Sequence, residues 1–221
     1  MYILLAAATP LEIAPFSHLL ESSGPSWQGQ EVEILITGVG SLIASWSLAK
    51  AIHHRRPDFM IQAGIAGSMN PNILPPQVVI VQNERMGDLG AEDKEGFSDV
   101  FDLALTDGAA FPFTGGSLPN PLVREGADYL GLPTAQGVTV NEITTRKERI
   151  ISLKNKYLVS VESMEGAAFH YAALSEHIPF LQVRAISNTV GERNKQHWKI
   201  KEAIQALNDS LITLLPQLQN I

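Results

Sequence analysis

The sequence predicts an α/β fold with mainly parallel pairing, and three observations carry that expectation. Continuous apolar runs of strand length occupy 2–8, 32–37, 59–63, 78–81, 158–161 and 180–186. Amphipathic stripes with helical spacing lie between some of them. Small or polar residues mark the point where each run stops, which is where an open α/β sheet places its ligand.

Taken in order, Tyr2-Ile3-Leu4-Leu5-Ala6-Ala7-Ala8 reads as a buried first strand. It has no basic region ahead of it and runs directly into Pro10 and Glu12, so it does not fit a signal peptide. Pro10 suits the first turn of a helix, and Glu12 then sits at the sheet's edge. Locally the plainer role for Glu12 is to complement the helix macrodipole, for about 0.3–1 kcal/mol. The 32–37 strand ends in Thr37-Gly38-Val39-Gly40-Ser41, whose glycines allow main-chain N–H groups to approach an oxygen-rich ligand. A third glycine and the acidic residue of a dinucleotide fingerprint are both missing. Leu42, Ile43, Trp46, Ala49 and Ile52 then form one helical face.

The 59–63 strand is expected to end in the small residues Gly64-Ile65-Ala66-Gly67-Ser68, either for close ligand approach or as a tight turn. After the 78–81 strand, residues 84–136 are rich in Gly, Asp, Pro and Thr, with Gly115-Gly116 and Pro119-Asn120-Pro121 as breaks. This stretch reads as a loop-rich excursion, a lid or a subunit contact. It has no linker flanked by two cores, so 1–221 is a single domain.

The 158–161 strand meets a helix expected over 164–176 at Val161-Glu162-Ser163-Met164-Glu165-Gly166. Two carboxylates three residues apart, beside Val161 and Met164, have two readings. One is a partly buried acid that accepts hydrogen bonds from sugar hydroxyls; the other is a capping arrangement around Ser163 with both acids exposed. The 180–186 strand ends at Ser187-Asn188, where an amide offers both donor and acceptor to a heterocycle edge, or simply starts a loop. Ile200, Ile204, Leu207, Leu211 and Leu215 form a last helical stripe.

Composition narrows the function. A net charge of −7, from 16 basic and 23 acidic residues, disfavours nucleic-acid or acidic-membrane partners. The absence of cysteine removes disulfides, thiolate metal sites and thiol nucleophiles. No apolar run approaches the roughly 18 residues that cross a bilayer, so a soluble, cytoplasmic protein is expected. His53 and His54 end a helix, and His170 and His177 lie seven apart rather than at ligating spacing. No metal or other cofactor is expected.

At these residues the chain resembles the nucleoside phosphorylase and nucleosidase superfamily. The likeness covers nearly the whole chain in the family's order: Glu12, the Gly38–Gly40 loop, Ala63-Gly64-Ile65-Ala66-Gly67, Met164-Glu165, and Arg184-Ala185-Ile186-Ser187 with a polar residue following. Within it, Asp88-Leu89-Gly90-Ala91-Glu92, Thr139-Val140-Asn141-Glu142, Ser163-Met164-Glu165-Gly166, and Ser187-Asn188 with Arg193-Asn194 and Trp198 look most like the futalosine hydrolases.

The resemblance implies a three-layer α/β sandwich with a central mixed sheet and assembly as a homodimer or homotetramer. It also implies a purine nucleoside substrate, with water as nucleophile. Glu12 would activate the water, Glu165 would hold ribose hydroxyls and favour positive charge on the sugar, and Asn188 would hold the departing base. Gly38, Gly40, Ala66, Gly67, Ile143, Ser163, Met164 and Ser187 would line the substrate. Methylthioadenosine nucleosidases carry Asp where this chain has Asn188, and Asn suits a 6-oxo base such as hypoxanthine. Inosine or methylthioadenosine cleavage and a non-catalytic nucleoside-binding role stand as alternatives. Arg85 would be the phosphate ligand of a phosphorylase, and Arg146, Lys147, Arg193 and Lys195 are candidates for a substrate carboxylate.

Overall fold

β1 (Tyr2–Ala7) is buried along its whole length because it lies between two parallel neighbours, β3 (Gln30–Ile36) and β4 (Phe59–Ser68). The computed structural model describes residues 1–24, 26–94, 96–124 and 129–220. Along the chain the other elements are α1 (Pro10–Ser23), β2 (Ser26–Trp27), α2 (Ser41–His54), β5 (Val78–Met86), β6 (Gly90–Glu92), β7 (Phe97–Asp99) and β8 (Leu118–Pro119). They are followed by β9 (Thr134–Thr139), α3 (Lys147–Tyr157), β10 (Val161–Ser163), α4 (Gly166–Ser175), β11 (Phe180–Thr189) and α5 (Ile200–Leu214). No helix of the described residues is long and apolar enough to cross a membrane.

The main sheet runs β10-β9-β5-β11-β4-β1-β3-β2 and is mixed. β4 pairs with β11 in parallel, whereas β5 pairs with β11 antiparallel. The expected mixed α/β sheet is therefore present. Around β1, β4 and β11 it is covered on both faces. Ile13 and Phe16 of α1 and Leu207 and Leu211 of α5 pack on one side with Ile3, Leu5 and Ile61. Leu48 of α2 and Phe169 of α4 pack on the other with Leu4, Ala6 and Met60.

A flat central layer does not describe the rest of the sheet. β10 pairs back onto β4 antiparallel, through Val161↔Ser68 and Glu162↔Gly67, so β4, β11, β5, β9 and β10 close into a ring. Ala66, Val79, Val81, Ala135, Val161 and Ile186 form one buried cluster drawn from all five of these strands. Small and branched side chains of this kind fill a narrow closed barrel.

Several local expectations change. β4 does not stop at residue 63 but continues as strand through Gly64–Ser68, and β5 and β11 also outrun their apolar stretches. Ladder hydrogen bonds need no apolar side chains, which is also why β9 leaves no apolar run in Thr134-Ala135-Gln136-Gly137. The strand expected over 158–161 begins only at Val161; Leu158, at φ 56°, is the left-handed cap that ends α3. Of 84–136, residues 95 and 125–128 lie outside the described residues. The rest includes a β6–β7 hairpin and an aromatic group in which Phe113 lies 5.1 Å from Phe101 and 5.8 Å from Tyr171.

Candidate active site

The ends of β1, β3, β4, β10 and β11 open on one cavity of about 310 Å³. Its wall includes Thr9 and Glu12 beyond β1, Val39 beyond β3, Ala66 and Gly67 of β4, and Glu162 and Ser163 of β10. Met164 and Glu165 follow, with Ser187 and Asn188 of β11 and Ile200 and Ile204 of α5. No described residue of 84–136 lines it, so the expected lid is not seen at this cavity.

Glu12 is only 7% exposed. Its Oε2 accepts from the Thr9 N–H and Thr9 Oγ1, both at 3.0 Å, which closes the first turn of α1. Its Oε1 accepts from the Ile65 N–H at 3.0 Å, across on β4. The capping role and the site role are thus the same geometry. The hydrogen bonds aim the carboxylate and leave Oε1 a lone pair for a further donor.

Glu165 precedes α4 and is held from the opposite chain segment: its Oε1 accepts from the Gly40 N–H at 3.0 Å. Gly40 takes φ 92°, a conformation that favours glycine. Its Oε2 lies 3.6 Å from Arg184 Nη2, and both side chains are almost fully buried. Arg184 reaches Ile65 O at 3.4 Å through Nη1, while Nε and Nη2 have no hydrogen-bond partner. A Cβ at Gly64 would collide with Arg184 Nη1 and stand 3.0 Å from Glu12 Oε1, so the guanidinium that pairs with Glu165 also reaches the surroundings of Glu12. A buried guanidinium needs such partners, because an isolated charge away from water is very costly.

Behind this group lies a second polar layer. Glu84 Oε1 accepts from Gln182 Nε2 at 2.8 Å and its Oε2 from Thr139 Oγ1 at 2.9 Å; the same Thr139 oxygen accepts the Ala167 N–H of α4 at 2.7 Å. Burial pushes the Glu84 carboxyl up to about 7, against the pull of Gln182 and Arg184. Burial also lowers His170 to about 4, so it is neutral, with Nδ1 2.8 Å from Leu118 O. A side chain at Gly166 would collide with Glu84, so the glycine lets α4 start directly over that carboxyl.

Asn188 and Glu162 both pair with Gly67, one from β11 and one from β10. Residues in register across a ladder share a face, so these two flank a position with no side chain of its own. Asn188 Oδ1 accepts from Ser187 Oγ at 2.8 Å and Nδ2 donates to Thr189 O at 2.9 Å. Each end of the amide keeps one hydrogen-bonding valence. Glu162 Oε1 accepts from the Thr144 N–H at 3.1 Å, its Oε2 has no partner, and burial raises its carboxyl above the usual range. Neither Glu162 nor Glu165 is exposed.

Glu12, Ala66, Gly67, Ile143, Ser163, Met164, Glu165, Ser187 and Asn188 therefore come together on one wall system. Gly38 and Gly40 do not line the cavity; Gly40 uses its N–H on Glu165, and Val39 between them faces in. Arg85 is not at the cavity either. It donates to Gly115 O at 2.6 Å and lies over the Tyr157 ring, and neither of these partners lines the cavity. Arg146 pairs with Glu92 at 3.6 Å on the surface. Among the described residues lining the cavity, Arg193 is the only Lys or Arg, 6.0 Å from the ring of Trp198, which is also in the wall. Sequence reasoning assigned no role to Arg184, although a cation inside the apolar run Phe180-Leu181-Gln182-Val183-Arg184-Ala185-Ile186 was the signal. Glu84 went unnoticed because it opens a stretch that reads as loop.

The model of the phosphorylase superfamily matches residues 11–216. A futalosine hydrolase of Thermus thermophilus is 33% identical over 217 residues, covering 97% of this chain and 95% of the relative. A futalosine hydrolase of Streptomyces coelicolor is 32% identical over 194 residues, 85% of this chain and 80% of the relative. Among solved structures, a futalosine hydrolase mutant of Helicobacter pylori superposes with a TM-score of 0.78 at 16% identity, covering 98% of this chain and 99% of that one.

Proposed function

The chain belongs to the phosphorylase superfamily, and from that membership and the cavity's chemistry we propose that it hydrolyses the N-glycosidic bond of futalosine, releasing hypoxanthine and dehypoxanthine futalosine for menaquinone synthesis. The observation that carries the chemistry is the convergence of two buried, hydrogen-bonded carboxylates, Glu12 and Glu165, on one cavity.

Water attacks C1′ of the ribosyl group as the C1′–N9 bond breaks. Glu165 accepts from ribose hydroxyls and stabilises the positive charge that grows on the sugar. Glu12 accepts a proton from the attacking water and passes it to solvent. Arg184, behind the wall, faces Glu165 through Nη2 and borders Gly64 with Glu12 through Nη1, so it sets a fixed positive charge behind the two acids. The base takes a proton at N7 from solvent as C1′–N9 breaks, so it leaves as neutral hypoxanthine and no net proton is released; Asn188 donates to its 6-oxo group and accepts from that N7–H. The Arg85 alternative has lost its geometry, and a phosphate dianion would meet mainly carboxylates here, so water is the second substrate.

Futalosine carries an aryl carboxylate on its sugar. Arg193 supplies the charge for it and Trp198 an aromatic face, in a cavity whose other charged lining residues are Glu12, Glu162, Glu165 and Glu192. The protein works in the cytoplasm as a homodimer or homotetramer, joined through α2, where Leu42, Ile43 and Trp46 are 84%, 55% and 66% exposed.

Chromatography of base release from futalosine, inosine and methylthioadenosine, each with and without phosphate, tests the reading. Rapid, phosphate-independent hypoxanthine release from futalosine is expected. Faster cleavage of either other nucleoside would refute the substrate, and a phosphate requirement would refute the nucleophile.

A further inference from the structure

α5 packs on the sheet beside α1, and its stripe of Ile204, Leu207 and Leu211 includes one polar core residue, Asn208, which is 1% exposed. The side chain uses its hydrogen-bonding capacity on main-chain groups. Nδ2 donates to Glu12 O at 2.9 Å and to Ile204 O at 2.7 Å, and Oδ1 accepts from the Phe16 N–H at 3.0 Å. Glu12 O and Phe16 N–H are four residues apart, the two groups that an unbroken α-helix pairs with one another. Asn208 therefore ties an amide from another helix to both ends of the turn that carries Glu12.

That turn needs outside support. Pro15 lies inside α1 and has no N–H to offer the Leu11 carbonyl, so the turn following Glu12 lacks one ordinary helical bond. The Glu12 carboxylate is fixed at its other end by Thr9 and Ile65, and its own main-chain carbonyl is fixed by Asn208. α5 also contributes Ile200 and Ile204 to the cavity wall, so one helix both contacts the ligand space and holds this carboxylate's backbone.

We propose that Asn208 is a positioning residue for the reaction: by bridging Glu12 O and Phe16 N–H it sets the angle at which the Glu12 carboxylate meets the attacking water. This rests on the role assigned to Glu12 above. A purely structural role predicts something different, because the two groups that Asn208 holds are able to satisfy each other. Truncating the amide leaves the helix bond between them to hold the turn by itself, while the turn, no longer tied to α5, shifts and carries the carboxylate with it.

The test is a double-mutant cycle on futalosine hydrolysis, with single-turnover base release for the slow variants and a thermal melt for each. A displacement of about 1 Å costs on the order of a hundredfold in rate, so Asn208→Ala is expected to lower kcat about 10- to 100-fold with KM within about twofold. In an Glu12→Gln background, adding Asn208→Ala should slow the reaction no further, because the group it positions is already gone. Asn208→Asp, which keeps the acceptor for Phe16 but sets an oxygen against Glu12 O, should show the same selective loss of kcat if the alanine variant does not fold. Unchanged kcat in the folded variants, or a loss in the double variant equal to the product of the single losses, overturns the proposal. If Glu12→Gln itself turns over normally, the assignment of Glu12 falls and Asn208's role with it.

Discussion

The guanidinium of Arg184 and the carboxylate of Glu165 lie 3.6 Å apart, with almost no exposure on either side chain. The pair places a fixed cation beside the group that is to face a developing cation on the sugar. Removing one member of such a pair costs about 3–5 kcal/mol because the other charge is left buried without a partner. Arg184→Met is thus expected to lower the melting temperature by about 10 °C, and adding Glu165→Gln should recover part of that loss. Melts of the two singles and the double decide it; additive losses would mean that the pair does not interact.

Glu165→Gln keeps the hydrogen bond that the carboxyl oxygen takes from Gly40 but removes the charge. Loss of one preorganised electrostatic group costs about 10²–10³ in kcat, with little change in KM. Steady-state kinetics on futalosine read this out, and an undiminished kcat would remove Glu165 from the mechanism.

At the base end, Asn188→Asp replaces a donor with an acceptor while Ser187 Oγ still has an oxygen to bond. The ratio of kcat/KM for 6-oxo to 6-amino purine nucleosides should fall by about 10-fold or more, since an unpaired buried acceptor opposite a 6-oxo group is costly. Competition between inosine and adenosine measures it directly.

Arg193→Ala is expected to raise KM for futalosine about 10-fold while leaving inosine, which lacks the aryl carboxylate, within about twofold, the range of one exposed charge-assisted hydrogen bond. An equal effect on both nucleosides would place the carboxylate elsewhere.

Stability should depend on pH through Glu84. Its carboxyl is pushed by burial from 4.5 to about 7, so the folded state holds the proton more tightly than the unfolded chain. The contribution is fully present below pH 4.5 and disappears as pH rises through 7, an effect of about 3 kcal/mol. His170, lowered to about 4, acts oppositely, since its contribution is lost as pH falls through 4. Glu84→Gln should flatten the wild-type decline between pH 5 and pH 8 in urea unfolding, with the His170 contribution common to both proteins. A parallel pH profile for the variant would contradict a neutral Glu84 in the fold.

Much of the fold was legible because buried strands and amphipathic helices write their period into the chain. The runs at 2–8 and 32–37 and the stripe from Leu42 to Ile52 needed no partner to be recognised. β9 and α3 were not legible for the opposite reason. Thr134-Ala135-Gln136-Gly137 is strand because its neighbours supply a ladder, and Lys147–Tyr157 is a lysine-rich surface helix with only Leu153 buried.

The sequence by itself singled out Glu12, Glu165 and Asn188 as candidates: the first two follow strands and the third stands near the end of β11, where side chains meet at the edge of an α/β sheet. Tertiary structure alone decided how they are held. The antiparallel return of β10 onto β4 brings Glu162 opposite Gly67, a pairing between residues 95 positions apart that no local pattern encodes. Likewise, Asn208 meets Glu12 across 196 residues, and Arg184 finds Glu165 only because both are excluded from water at the same point. Periodicity records burial within an element, whereas hydrogen bonds and charge pairs across the ring depend on where the chain returns.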